Sequence, residues 1–587
     1  MLLEEGLLER TSDGWVASGD LSSVSVPPTI QALLAARLDQ LPEEERKIIE
    51  SASVIGKIFW RNALIDLSVD SAGVSRGLMS LMRKELIRPE RSNFADDDAF
   101  SFRHILTRDA AYKSMPKESR SRQHERFADW LAEKVATSAG DYDEILGHHF
   151  ERAYRLGCEL GPAGPRTTAL ADKASVHLGS AGHRASVRGD IPASLSLLRR
   201  AASLSPGRRV DILPDLAEAM IEAGEFEGVP ALLEETVALA RAAGHRAAEM
   251  RAKVSGWKLM ELTDPGVTQE SIEGKLQEAL RVFQELNDAR GQGRCWLLLG
   301  QHRLWAGQPD EAGEAFERSA AYAREAGDFR TENLSLGWIP FNLVFGSASP
   351  EETVARCDEL MEDFSERRGL RAEAQIVRGM ALGMLGLPSQ ARLIVAEGRS
   401  DLRELGQNVM WATASMGAGL VELWAGHPDS AERVLRGGLE ALEAMGETGY
   451  FSTAAALLAE AVYRQGRLDE ALGLTVISER AAAPDDVDSQ GQLRATRAKV
   501  LATRGDFEQA ARLAEQALEL GERFEAPVQT GELLMAAAEV FRLSGARDKS
   551  KDALKQALSC FERKGHLLLA AEAQSLLAAS EGSSSQG

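Results

Sequence analysis

The chain has 587 residues, of which 44% are hydrophobic, 6% aromatic and 27% charged, and its formal net charge is −21. The length exceeds that of an ordinary single domain, and the acidic balance argues against broad, non-specific binding to nucleic acid phosphates. Four widely separated cysteines form no Cys-x-x-Cys pair, which argues against a structural zinc site and a disulfide framework. The low aromatic content favours close-packed helices over sheets.

Residues 1–26 predict the end of a preceding module. Leu2, Leu3, Gly6, Leu7 and Leu8 are expected to form an apolar helix end, followed by a turn at 11–14 and a short strand at 15–17. Glu4 and Glu5 interrupt any apolar signal segment near Met1, and no apolar run reaches 18 residues, so we expect a cytoplasmic protein.

Residues 27–118 predict a small helical domain that ends in a hairpin. We expect helices at 30–41, from 42 through 54, at 61–67 and at 75–86, then strands at 87–91 and 100–103 around a polar turn at 92–98. Three or four short helices followed by a hairpin are typical of a winged-helix domain.

Two segments carry a family resemblance. Residues 27–56 (PPTIQALLAARLDQLPEEERKIIESASVIG) and 100–112 (FSFRHILTRDAAY) resemble the winged-helix domain of bacterial STAND-class signalling ATPases. These proteins are often fused to nucleotide cyclase or protein kinase domains and carry tetratricopeptide arms. The resemblance covers residues 1–160 and implies that 1–26 are the remnant of an ATPase lid region or linker.

The resemblance assigns one candidate site residue, His104. In the family, the histidine at this place contacts the β-phosphate of bound ADP and holds the off state, so His104 is a cofactor-binding candidate only beside an upstream ATPase domain. The acidic residue that follows it in the family is replaced here by Ile105.

A phosphate-binding loop needs glycine, four residues, then Gly-Lys-Ser/Thr. The two Gly-Lys pairs, at 56–57 and 274–275, are followed by isoleucine and leucine, and serine and glutamine stand where the first glycine is required. We therefore expect the C-terminal portion of a larger ATPase, with no bound cofactor, no catalytic residues and no tight binding of ATP by itself.

Other polar clusters predict structural roles. His148 and His149 are adjacent in a predicted helix and diverge by about 100°, so they do not share a metal in the usual way. His124-Glu125 lacks the second histidine of a zinc protease motif, and Asp96–Asp98 is expected to be a solvated turn. No metal site is predicted.

Residues 74–126 contain twelve lysines and arginines against eight acidic residues. A winged helix with this charge can read DNA through the major groove. In the STAND ATPases the same module instead packs on the nucleotide domain and acts as a switch. We favour the switch and expect residues 119–165 to form a helical connector.

The remainder of the chain is periodic. Ten glycines recur at intervals of 35 to 42 residues: Gly189, Gly224, Gly266, Gly307, Gly346, Gly386, Gly426, Gly466, Gly505 and Gly545. A period of this size predicts a repeat array. Each glycine is expected to end one helix in a positive-φ turn before a second amphipathic helix begins.

One unit carries a second family resemblance through Trp296, Leu299, Gly300, Gly307, Ala312 and Phe316. Their spacing resembles the tetratricopeptide signature, although the repeat here is about 40 residues. The resemblance covers residues 166–580 and implies a superhelix of about ten helical pairs, capped by a helix at 567–579. Residues 581–587 are expected to be a disordered tail.

The predicted fold class is therefore all-α, with a winged-helix domain followed by a long right-handed tetratricopeptide-type α-solenoid. The predicted function is that of a non-catalytic sensor arm of a STAND-type ATPase, which binds protein partners on the concave face of the array. Two alternatives remain: a transcriptional regulator that binds DNA, and part of a cyclase or kinase whose catalytic domains lie outside this chain.

Overall fold

The computed structural model describes residues 8–11, 14–17, 28–68, 71–136, 139–523 and 525–582. Their contacts divide the chain into two compact units. Unit 1 comprises residues 1–180 and 203–205, and unit 2 comprises residues 181–202 and 206–587. No described helix is long and apolar enough to cross a membrane.

Unit 1 contains short helices and two small sheets. Its elements are β1 (Leu8–Thr11), β2 (Gly14–Ala17), α1 (Pro28–Asp39), α2 (Glu43–Ile55), β3 (Ile58–Trp60), α3 (Arg61–Leu67), α4 (Ser71–Arg83), β4 (Ile87–Glu90), β5 (Ala99–Phe102), α5 (Ile105–Ser114), α6 (Lys117–Lys134) and α7 (Ala139–Leu160). Two further helices, α8 (Pro165–Val187) and α9 (Ile191–Leu204), span the division between the units.

The first strands correct one sequence expectation. Leu8 was expected to lie in a helix end, but it lies in β1 and pairs with Ala17 of β2 in an antiparallel hairpin. Residues 1–7 and 12–13, which include the rest of that expected helix and part of the turn, lie outside the described residues.

A three-stranded antiparallel sheet has the order β3-β5-β4. The sequence predicted β4 and β5 but not β3, which is three residues long and leads directly into α3. Phe59 of β3 is fully buried, and its ring lies 5.3 Å from that of Phe102. The buried aromatic contact, which joins residues distant in sequence, holds this short strand to the sheet.

Unit 2 consists of helices that pack in consecutive pairs. Nine pairs run from α10–α11 to α26–α27, and α28 packs on the last of them. Their bounds are α10 (Arg209–Ala223), α11 (Val229–Ala242), α12 (Arg246–Thr263), α13 (Gln269–Glu285), α14 (Ala289–Trp305), α15 (Pro309–Glu325), α16 (Phe329–Phe345), α17 (Pro350–Asp363), α18 (Arg368–Met384), α19 (Pro388–Glu404), α20 (Asn408–Trp424), α21 (Pro428–Met445), α22 (Gly449–Arg464), α23 (Leu468–Ala481), α24 (Val487–Thr503), α25 (Phe507–Gly521), α26 (Pro527–Leu543), α27 (Arg547–Lys564) and α28 (Leu567–Gly582). A short 3₁₀ turn, Pro206–Arg208, precedes α10.

Most of the periodic glycines have the expected left-handed backbone. Gly307, Gly426 and Gly466 have φ values of 78°, 76° and 78°. Two of the ten depart from the expectation. Gly346 is extended, with φ −74° and ψ −165°, and Gly266 has no positive φ. At these two positions, the turn between helices does not use the left-handed backbone conformation.

Small residues on the first helix let the two helices of a pair approach closely. A Cβ atom added at Gly300 would lie 2.6 Å from the ring of Phe316, and one added at Gly379 would lie 2.4 Å from Val395. Phe316 and Val395 belong to the second helices α15 and α19. The tetratricopeptide-like spacing in the sequence therefore corresponds to close packing within each pair.

The pairs wind into a superhelix that returns upon itself after five repeats. First helices ten elements apart pack together: α10 on α20, α12 on α22, α16 on α26 and α18 on α28. Backbone hydrogen bonds join the successive turns, with the Thr448 amide donating to the Leu262 carbonyl at 2.7 Å. Near the end of α27, the Lys564 ammonium donates to three carbonyl oxygens, those of Leu343, Gly346 and Ala348, at 2.6 to 2.9 Å.

The last helix differs from the expectation at its end. α28 continues through Gly582, so residues 581 and 582 of the predicted disordered tail are helical. Residues 583–587 lie outside the part of the chain that the structure describes.

Replacement of Gly426 by alanine is expected to destabilise its repeat by about 1–2 kcal/mol, because a Cβ is strained in the left-handed region. Gly437 provides the matched control, since it lies inside α21 without positive φ and an added Cβ there meets no atom within 4 Å. Gly437→Ala should be stabilising by about 0.5–1 kcal/mol. Thermal unfolding and hydrogen exchange of α20 and α21 compare the two variants, and equal effects would contradict the assigned turn.

Candidate binding site

His104, the one residue that sequence comparison assigned to a site, is the N-cap residue of α5. It has extended backbone angles (φ −131°, ψ 131°), its side chain is exposed and makes no capping hydrogen bond, and its carbonyl accepts from the Thr107 amide at 3.0 Å. The following residue, Ile105, is also exposed. His104 is thus available to a ligand, and its contact with ADP stays a prediction.

Arg108, which lies on the same helix four residues after His104, connects α5 to α2. Its Nε donates to the carbonyl oxygen of Ser53 in α2 at 3.2 Å, and its guanidinium pairs with Asp109 at 3.2 Å.

A buried histidine pair lies between α6 and α7. The Nδ1 atoms of His124 and His149 are 2.8 Å apart, and the Tyr112 hydroxyl lies 2.9 Å from Nε2 of His124. Burial and the neighbouring His148 hold the pKa of His149 at about 3, and burial together with His149 holds that of His124 well below its usual value. Both rings are therefore neutral and structural, as the sequence predicted for His149.

The acidic turn between β4 and β5 is not simply solvated. Asp97 is buried, and its carboxylate accepts from the Asn62 amide at the start of α3 at 3.0 Å. Asp98 pairs with Arg61 at 3.1 Å. These carboxylates fix the turn to α3. No group of three histidine, cysteine or acidic side chains in the described residues is placed to hold a metal ion.

One cavity of unit 2 has a volume of about 220 Å³ and lies inside the superhelix. Its lining comes mainly from the first helices of the pairs, namely α12, α14, α16, α18, α20, α22, α24 and α26. These helices therefore form the inner face of unit 2. The sequence predicted a concave binding face without identifying its residues.

Aromatic and methionine side chains form the apolar wall of this cavity. Trp338 lies edge-on to both Trp305 and Phe341, with ring centroids 6.5 and 5.2 Å away, and Tyr450 lies 6.0 Å from Trp305. The wall continues through Met380, Met410, Met416, Leu420 and Trp424. Aromatic rings and methionines bind varied apolar groups, and the rings also attract cations to their faces.

Acidic side chains interrupt this wall. Burial raises the pKa of Glu373 to about 8, that of Glu532 to about 7 and that of Asp488 to about 6. The indole nitrogen of Trp424 donates to Glu532 at 3.0 Å. Within the described ranges, none of these three carboxyl groups forms a salt bridge.

Two cationic side chains that line a cavity together with Glu373 interact with other carboxylates. Arg330 pairs with Glu218 and, at 2.6 Å, with Glu222. Lys258 also lines the cavity, and its ammonium interacts with the same two carboxylates while burial lowers its pKa. Neither of these cations forms a salt bridge with Glu373 in the described part of the chain.

Sequence reasoning did not identify these residues, although one signal was present. Only 6% of the residues are aromatic, yet the single helix α16 contains Trp338, Phe341 and Phe345 within eight positions. The pattern does not show that they face inward, because all surfaces of this helix contain apolar residues.

Comparisons with known proteins give structural likeness only. No protein-family profile and no curated protein sequence matches the chain. A Rap protein complexed with competence and sporulation factor is 13% identical, with a TM-score of 0.46, over 62% of this chain and 100% of that one. Cut9–Hcn1 of the APC/C is 12% identical, with a TM-score of 0.47, over 81% and 92% of the two chains. A STAND protein with a tetratricopeptide repeat sensor, PH0952 from Pyrococcus horikoshii, is 12% identical, with a TM-score of 0.26. The match covers 92% of this chain and 66% of that one.

The histidine pair predicts acid sensitivity in α6 and α7. Because the folded-state pKa of His149 lies at about 3, below the unfolded value near 6.5, its contribution to stability is full above pH 6.5 and is lost as pH falls toward 3. Hydrogen exchange, corrected for intrinsic rates, should show progressively weaker protection of these helices from pH 6.5 to 5.

Helix α24 provides the internal control for this measurement. The pKa of Asp488 is raised to about 6, so its contribution to stability increases rather than decreases as pH falls below that value. Equal loss of protection in α24 and in α6 would contradict the assignment to the histidine pair.

Proposed function

We propose that this chain is a non-catalytic, cytoplasmic regulatory arm of a STAND-type signalling ATPase and that it binds a protein partner on the inner face of unit 2. The observation that carries the proposal is the concentration of aromatic, methionine and unpaired acidic side chains on the first helices. An arm that binds a partner can then bias an ATPase between two states by its differential affinity for them.

Two acids of the inner face, Glu373 and Asp488, form no salt bridge in the described residues. In this they are unlike Glu218, Glu222 and Glu460 on the same set of first helices. Unpaired buried acids are unfavourable, so their presence supports a binding role for this face.

We further propose that unit 1 contains a winged-helix switch. The topology that supports this assignment is the order α1-α2-β3-α3-α4-β4-β5, in which β5 lies between β3 and β4. The hairpin β4–β5 would be the wing, and His104 directly follows it at the start of α5. In this proposal, the module packs on a nucleotide-binding domain that lies outside the chain.

Site-specific photo-crosslinking in cells tests the partner surface. A p-benzoylphenylalanine placed at Met410, which lines the cavity, should form a discrete protein adduct. The matched control is the same amino acid at Leu393 on the second helix α19, where the side chain is 62% exposed. Adducts at Leu393 alone, or equal adducts at both positions, would contradict the proposed face. A salt-sensitive complex of the isolated chain with a defined DNA duplex would favour the DNA-binding alternative.

The switch proposal requires this chain joined to its ATPase domain. His104→Ala should release ADP about ten- to hundredfold faster, because a charge-assisted hydrogen bond contributes about 1.5–3 kcal/mol. Release of labelled ADP measures the effect, and His245→Ala is the control because it lies in unit 2 just before α12. Identical release rates for the parent and His104→Ala would assign His104 a purely structural place at the start of α5.

A further inference from the structure

We propose that the cavity inside unit 2 binds an amphipathic organic cation, whose protonated amine or guanidinium pairs with Glu373 while its apolar body packs on Trp305, Trp338 and Phe341. This inference deepens the proposed function and rests on its use of the inner face. It adds the chemistry of the ligand, which is either the basic side chain of a partner segment with apolar neighbours or a free amine.

The position of Glu373 fits this role. Its side chain lies against Gly337, where an added Cβ would be 2.1 Å from Oε2, and the next residue, Trp338, lines the same cavity. The phenol of Tyr450 interacts electrostatically with both Glu373 and Glu261. A carboxyl group, a phenol and two indole rings thus surround one part of the cavity.

The side chains that face this site explain why Glu373 needs an external cation. The charged or titratable groups around it are Glu222, Arg330, Lys258, Glu261 and Tyr450. Arg330 pairs with Glu218 and Glu222, Glu261 pairs with His302, and Lys258 interacts electrostatically with Glu218 and Glu222 while burial lowers its pKa. A buried carboxylate without a partner is costly, and an incoming cation removes that cost.

The lining selects an organic cation over a metal ion. Calcium and magnesium require six or more oxygen ligands, and no cluster of three acidic, histidine or cysteine side chains occurs in the described part of the chain. The aromatic rings of Trp305, Trp338 and Phe341 instead favour a cation that carries an apolar body.

Binding should also release a proton. Since burial keeps the pKa of Glu373 at about 8, this carboxyl is largely protonated at pH 7 in the free protein. A bound cation stabilises the carboxylate and lowers that pKa, so the proton leaves to solvent as the ion pair forms. Affinity for the cation should therefore increase as pH rises from 6 to 8.

Isothermal titration of the full chain with phenethylamine tests the proposal, with 2-phenylethanol as the uncharged analogue of the same shape. We expect saturable binding of the amine, at least tenfold weaker binding of the alcohol, and proton release detected in buffers of different ionisation enthalpy. Quenching of tryptophan fluorescence gives a second readout, because Trp305, Trp338 and Trp424 line the cavity.

The variant Glu373→Gln keeps the volume of the side chain and removes its charge. It should weaken phenethylamine binding at least tenfold and abolish proton release, while binding of 2-phenylethanol stays unchanged and shows that the cavity is intact. Glu397→Gln, at an exposed position on α19, is the matched control and should bind like the parent. Three results would overturn the proposal. They are equal binding of amine and alcohol, unchanged amine binding by Glu373→Gln, and no saturable binding of either phenethylamine or the arginine peptide described below.

A second probe distinguishes the two sources of the cation. N-acetyl-Phe-Arg-Phe-amide and its citrulline analogue represent a partner segment. Tighter binding of the arginine peptide than of phenethylamine assigns the site to a peptide, and the reverse order assigns it to a free amine. Cation binding without any crosslink from Met410 would leave the cavity chemistry supported and remove the protein partner, so the two proposals fail separately.

Discussion

The left-handed turn between the two helices of each repeat is the constraint on which the architecture of unit 2 depends. At Gly307, Gly386, Gly426, Gly466 and Gly505, φ lies between 76° and 87°, and the spacing between successive turns is nearly constant. Each pair is consequently built in the same way, with small residues such as Gly300 and Gly379 allowing its helices to touch. Repetition of one geometry brings the chain back upon itself after five repeats, where first helices pack on first helices. The inner face and its cavity follow from this closure.

The same closure separates two kinds of electrostatic environment. A network of ion pairs around the buried Asp328 joins the early repeats, where Arg290 bridges Asp215 and Asp328 at 2.9 and 3.2 Å. Removing one partner of such a buried pair is strongly destabilising, so these residues are fixed by structure. Glu373 is half-buried in the wall of the cavity and forms no salt bridge in the described residues, so under our proposal its charge depends on a bound cation. The net charge of −21 does not reveal this difference between paired and unpaired acidic residues, which exists only in the folded chain.

The sequence was most informative where local chemistry determines local structure. The periodic glycines predicted the turns at Gly426 and Gly466, and the helix Arg61–Leu67 was predicted with its observed bounds. Local signals were insufficient for Gly346, where the chain takes an extended turn, and for β3, whose three residues depend on pairing with β5.

The candidate site was less predictable, because it is formed by residues from eight helices that meet only after the superhelix closes. Helical periodicity shows which residues share a face but not which face points inward. Glu373 and Trp338 could therefore not be distinguished from ordinary solvated and core residues. The contact between His124 and His149 likewise depends on the packing of α6 on α7, which no motif in the sequence records.

Hydrogen exchange at the contacts between successive turns tests directly whether the superhelix is closed. In the closed superhelix, the amides of Ile191, Thr448 and Glu525 donate to the carbonyls of Leu405, Leu262 and Gly307 at 3.0, 2.7 and 2.8 Å. These donors lie at or near helix starts, where amides have no partner within their own helix. In a closed superhelix, these three amides should be protected as strongly as helix interiors in α12 and α22. Exchange at the rate of an unstructured peptide would contradict the closed superhelix and, with it, the cavity that the first helices enclose.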